Sequence, residues 1–172
     1  MRALDAPLDG AGLRIGLVAG RFNDFVSSSL VAGTRNRLVA LGVADDDVDL
    51  AWVAGAFEVP LAARAMAESG RYDAVVCLGA VIRGETPHFD YVAGEAAAGI
   101  MRAGHDTGVP VVFGVLTTDT VEQAMERAAE ERGNKGADCA DAAVEMVRLL
   151  AAIRAGRSAD LSCRRPPSLG RN

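Results

Sequence analysis

Four segments of this 172-residue chain gather the residue types that do chemistry. They are Gly20-Arg21-Phe22-Asn23, Ala54-Gly55-Ala56-Phe57-Glu58, Val81-Ile82-Arg83-Gly84-Glu85-Thr86-Pro87-His88 and Thr117-Thr118-Asp119-Thr120. The third is the most informative. Gly84 lets backbone approach a ligand, Thr86 offers a hydroxyl, and a turn that opens a helix points free N–H groups at an anion, so the segment reads as a phosphate seat. His88 falls in that first helical turn, where an imidazole both accepts and donates protons. A capping or core histidine is the competing reading. Phe22 and Phe57 follow glycine-bearing strand ends, where a ring either stacks on a flat heterocycle or fills the core. Glu58 is placed to bond hydroxyls or to complete a helical first turn. Arg127 offers a bidentate phosphate contact, although taken singly such a residue is more often a surface charge. Gly133-Asn134-Lys135-Gly136 reads as a helix-breaking joint carrying Lys135 as a second cation, and His105 as ordinary C-terminal capping. Together these residues imply a small phosphorylated substrate and a flat ring.

The elements that must position them alternate. Leu13 to Ala19, Val48 to Val53, Ala74 to Gly79 and Val109 to Leu116 are short, continuous apolar runs of the kind that form buried strands. Between and after them the apolar spacing predicts helices over 24–41, 59–69, about 89–103, 119–132 and about 137–153. Gly42 closes the first, Pro60 opens the second, and Asp119 with Glu122 caps the fourth. Strand followed by helix, four times over, calls for a parallel sheet covered on both faces: an α/β three-layer αβα sandwich. Ligands in such a sheet bind beyond the carboxyl ends of the strands, where all four segments fall. The expected organisation is one domain over residues 1–153 and a basic, disordered tail over 154–172, which holds five arginines against one aspartate and the pair Pro166-Pro167.

Composition narrows the function classes. The net charge of −5 disfavours a nucleic-acid footprint, and no run approaches the ~18–20 apolar residues of a membrane span. No basic-then-apolar leader opens the sequence, so a cytoplasmic protein is expected. Cys77, Cys139 and Cys163 share no metal-binding spacing, and neither a dinucleotide-binding nor a Walker pattern is present.

Five blocks in register carry a resemblance. They are Gly20 to Asn23, Gly55 to Pro60, Gly79 to Val92 (GAVIRGETPHFDYV), Phe113 to Thr120 (FGVLTTDT) and Gly133 to Gly136. In these the chain resembles the 6,7-dimethyl-8-ribityllumazine synthases of riboflavin biosynthesis. The resemblance implies a flavodoxin-like fold with a four-stranded parallel sheet, and a condensation of a ribitylamino-pyrimidinedione with a butanone phosphate that needs neither metal nor organic cofactor. It implies that Phe22 stacks on the pyrimidine, that Ala56, Phe57 and Glu58 hold the ribityl chain, and that Ala80, Val81 and Ile82 line the ring site. Gly84, Glu85 and Thr86 would seat the phosphate, Arg127 neutralise it, His88 transfer protons, and Phe113 and Lys135 complete the pocket. It further implies a homo-oligomer, a pentamer at least, in which Phe113 and Arg127 come from the neighbouring subunit, and it admits riboflavin synthase as a partner. A non-catalytic lumazine or flavin carrier is the alternative. Such a carrier needs neither the phosphate seat nor His88.

Overall fold

The computed structural model describes residues 4–130 and 133–163. Four strands, β1 (Ile15–Gly20), β2 (Val48–Val53), β3 (Ala74–Ile82) and β4 (Val111–Thr118), form one sheet in the order β2-β1-β3-β4, and every pairing is parallel. The helices are α1 (Asp24–Ala40), α2 (Val59–Glu68), α3 (His88–Thr107), α4 (Val121–Ala128) and α5 (Lys135–Cys163).

Two cores flank the sheet, and the two-residue period of a strand sorts side chains between them. Ile15, Leu17 and Ala19 of β1 and Ala74, Val76, Leu78 and Ala80 of β3 pack against α1, α4 and α5. Val18 of β1 and Val75, Cys77 and Val81 of β3 pack against α2 and α3. The two central strands, β1 and β3, read as unbroken apolar runs because both of their faces are covered. That is the three-layer αβα arrangement expected from the alternation.

Several boundaries differ from the sequence reading. β3 runs three residues past Gly79, because its pairing with β4 continues through Ile82 opposite Thr118. Ala80, Val81 and Ile82 are therefore strand. α4 starts one residue later than Asp119 suggests: the Thr120 hydroxyl accepts from the Gln123 backbone at 3.2 Å, and the Gln123 side chain accepts from the Asp119 N–H at 3.0 Å. Glu122 instead bonds its own backbone N–H and Thr120, which hold its carboxyl below the usual range. α4 ends at Ala128, well short of 132, and the helix that follows runs through Cys163, ten residues into the stretch expected to be disordered. No proline interrupts that stretch before Pro166, so nothing in it forbids helical hydrogen bonding. The rest of the expected tail lies outside the described residues.

The joint between α4 and α5 is a built feature. Gly133 takes a left-handed φ of 77°, and the buried Asn134 amide donates to the carbonyls of Ser29 and Ala128 while accepting from the Gly136 N–H at 2.7 Å. α5 thereby starts pressed against α1, where the Thr34 hydroxyl also donates to the Gly136 carbonyl.

Candidate active site

β1 and β3 are neighbours, yet α1 leaves the end of β1 for one face of the sheet and α3 leaves the end of β3 for the other. The diverging connections open a crevice at the carboxyl ends of the strands. A cavity of about 590 Å³ occupies it, lined by residues of the first three loops and the first turns of α3.

The loops are held to one another by backbone. Arg21 and Phe22 donate to the carbonyls of Val53 and Ala54, extending the β1–β2 ladder beyond its last pair. A Cβ at Gly20 would lie 3.1 Å from the Gly55 backbone, so the first two loops touch main chain to main chain. Asn23 caps α1 in the left-handed region at φ 63°, and its side-chain amide donates to the Ala80 carbonyl at 3.0 Å, tying the first loop to the end of β3. One carboxylate oxygen of Glu58 accepts from the Gly55 N–H at 3.0 Å, closing the turn that presents Ala56 and Phe57.

Exposure resolves the alternatives that residue types left open. Phe22 is 75% and Phe57 58% exposed, so neither fills the core; both rings line the cavity. His88 is also exposed at the cavity, and the cap position of α3 belongs to Pro87, so His88 is neither a core nor a capping histidine. Among the described residues its ring makes no hydrogen bond and is free to meet a ligand. Ala56, Glu58, Ala80, Val81, Ile82, Gly84 and Thr86 line the same space.

Four expected residues lie elsewhere. Glu85 sits in the phosphate-seat loop but is not part of the cavity wall. Phe113, Arg127 and Lys135 belong to β4 and the two helices after it, apart from the cavity of their own chain. Phe113 is 44% exposed on the edge strand. The Arg127 guanidinium turns back to the Gln123 carbonyl at 3.0 Å, and the Lys135 ammonium pairs with Asp138 at 2.6 Å. His105 lies in the last turn of α3, far along the helix from the cavity.

Asn23, Phe89, Tyr91 and Val92 line the cavity without having been singled out. The last two were legible, since Tyr91 and Val92 stand three and four residues after His88 and so share its helix face. Asn23 was not: only its left-handed backbone and its bond across to β3 reveal its place.

With this geometry in view, comparison with protein families is decisive: the model of the family described as 6,7-dimethyl-8-ribityllumazine synthase matches residues 12–151. The chain belongs to this family. It is a family of transferase-type enzymes of riboflavin biosynthesis, and the four-stranded α/β sandwich accords with it. Among the described residues no helix is long and apolar enough to cross a membrane, and no group of three or more His, Cys, Asp or Glu is placed to hold a metal ion.

Proposed function

We propose that the chain condenses 5-amino-6-(D-ribitylamino)uracil with 3,4-dihydroxy-2-butanone 4-phosphate to give 6,7-dimethyl-8-ribityllumazine, phosphate and water. The observation that carries the reading is one cavity in which two exposed aromatic rings, a glycine- and hydroxyl-bearing helix start and an unpartnered imidazole converge. A carrier of the ring alone has no use for the last two. In the proposed reaction an amine attacks the ketone and loses water to form an imine. Phosphate then leaves by elimination, the resulting enol tautomerises to a ketone, and the second amine closes the ring with loss of a second water. Each step moves a proton. His88 acts as base and acid in turn, which is typically worth ~10²–10⁴-fold. Phe22 and Phe57 hold the ring and ribityl chain, Ala80, Val81 and Ile82 line the ring site, and Gly84 and Thr86 seat the phosphate at the start of α3.

The four-carbon phosphate needs a cation, and among the described residues no lysine or arginine lines the cavity of one chain. We assign Arg127, with Phe113 and Lys135, to the cavity of a neighbouring copy. The exposed edge around them supports this: Val121 and Met125 stand one turn apart on α4, 45% and 43% exposed, next to β4, whose outer edge pairs with no strand among the described residues. Two different half-sites on one chain complete each other across a two-fold axis or in a closed head-to-tail ring. The resemblance puts five copies in that ring.

The test is to mix purified protein with both substrates and follow fluorescent lumazine and released phosphate together. Stoichiometric product and phosphate, slowed ~10²–10⁴-fold but not abolished in His88→Ala, is the expected result. Tight binding of the ring product with no turnover would make the chain a carrier.

A further inference from the structure

Arg83 is not among the residues that line the cavity, yet it contacts β4, the start of α4 and the first turn of α3 on either side of the phosphate seat. It is the first residue after β3, and its N–H donates to the Thr118 carbonyl at 2.9 Å, continuing the ladder between β3 and β4. Its Nε donates to Asp119 at 2.9 Å and its Nη1 to Asp90 at 3.3 Å. The guanidinium carbon lies 4.0 Å from the centre of the Phe89 ring. Asp90 and Phe89 belong to the first turn of α3, directly after His88, and Phe89 lines the cavity. Asp119 precedes the Thr120 cap of α4, the helix that carries Arg127.

Between these anchors lies the segment from Gly84 to Pro87, whose side chains make no hydrogen bond among the described residues. Gly84 has no neighbouring atom within 4 Å of where a Cβ would stand. The seat is therefore held from its two ends, and one planar cation holds both. We infer that Arg83 is a positioning residue: it sets the Gly84–Thr86 turn and the His88 ring relative to the rest of the cavity while touching no substrate itself. This rests on the synthase reading above.

The chemistry suits arginine. A guanidinium donates in two directions within its plane and stacks its face on an aromatic ring, whereas an ammonium, though it has three donors, is a point charge with no planar fork or stacking face. Arg83, Asp90 and Asp119 are all substantially exposed, so each ion pair contributes little to overall stability. Loss of the cation therefore leaves a folded protein with a loosened seat. Misplacement of a bound group by about 1 Å costs up to ~10² in rate.

The experiment compares steady-state kinetics of the wild type, Arg83→Gln, Arg83→Lys and the control Arg71→Gln, whose guanidinium pairs with Asp49 and stacks on Tyr72, away from the cavity. Arg83→Gln is expected to raise KM for the butanone phosphate about tenfold and lower kcat, with the melting temperature, the KM for the pyrimidine and the affinity for the ring product unchanged. Arg83→Lys should recover only part of the loss, and Arg71→Gln should match the wild type. Unchanged kinetics in Arg83→Gln, full rescue by lysine, or an equal loss toward both substrates and the ring product would each overturn the assignment. A wild type that never turns over would overturn the synthase reading and this inference together, so the two failures are told apart by the first sample.

Discussion

Replacing Asn134 by alanine removes the centre of the joint that places α5 against α1. The amide donates to the Ser29 carbonyl at 2.9 Å and to the Ala128 carbonyl at 2.5 Å, and accepts from the Gly136 N–H at 2.7 Å. The residue is only 4% exposed, so water does not replace what is lost. Three net hydrogen bonds at ~1 kcal/mol each set a floor near 3 kcal/mol. The void where the amide packed on Gly33 and Gly136 adds to it, giving about 3–4 kcal/mol in all. At a urea dependence of ~2 kcal/mol per molar, the unfolding midpoint should fall by roughly 1.5–2 M. Wild type and variant must be compared at one subunit concentration, since assembly adds to apparent stability. Asn134→Asp should be at least as damaging, because it keeps the acceptor for Gly136 but sets a carboxylate against two carbonyls. A loss below about 1 kcal/mol in Asn134→Ala would refute the claim that this amide holds the joint.

Mixing His88→Ala and Arg127→Ala chains, each impaired on its own, unfolded and refolded together, should restore wild-type turnover in roughly a quarter of sites if each site draws on two copies; no recovery, measured as lumazine formation, would put both residues in one chain. Burial pushes the Cys139 thiol up to about 11 and the Cys77 thiol higher still. Iodoacetamide at pH 8, read peptide by peptide, should leave both unlabelled until the protein is unfolded. Because these values are raised, the stability they contribute is complete below the ordinary thiol value of 9.0 and is lost as pH climbs beyond it. Asp45 is held below its ordinary 3.8 by a hydrogen bond from Arg35, and Glu122 below 4.5 by its own N–H and Thr120. Their contribution is present above those values and lost as pH falls through the depressed ones, so the melting temperature should drop below about pH 4.5, and less steeply in Asp45→Asn with Glu122→Gln.

Much of this protein was written in local pattern. Apolar runs bounded by glycine marked the four strands, Pro60 and Gly42 marked helix ends, and the alternation of the two implied a parallel sheet with its ligand site at the strand ends. His88, Gly84 and Thr86 could be placed in one helix start because they are neighbours in the chain. What local pattern could not decide was anything set by a partner distant in sequence. β3 extends to Ile82 only because β4 lies alongside. The role of Asn23 depends on the carbonyl of Ala80, and that of Arg83 on carboxylates 7 and 36 residues away. Whether Phe22 and Phe57 are core or cavity wall is a matter of exposure, which a residue type does not carry. The separation of Phe113, Arg127 and Lys135 from the cavity is likewise a fact of three dimensions. Backbone propensity and periodicity act over a few residues, whereas a site is made where segments far apart in the chain satisfy one another's hydrogen bonds and charges.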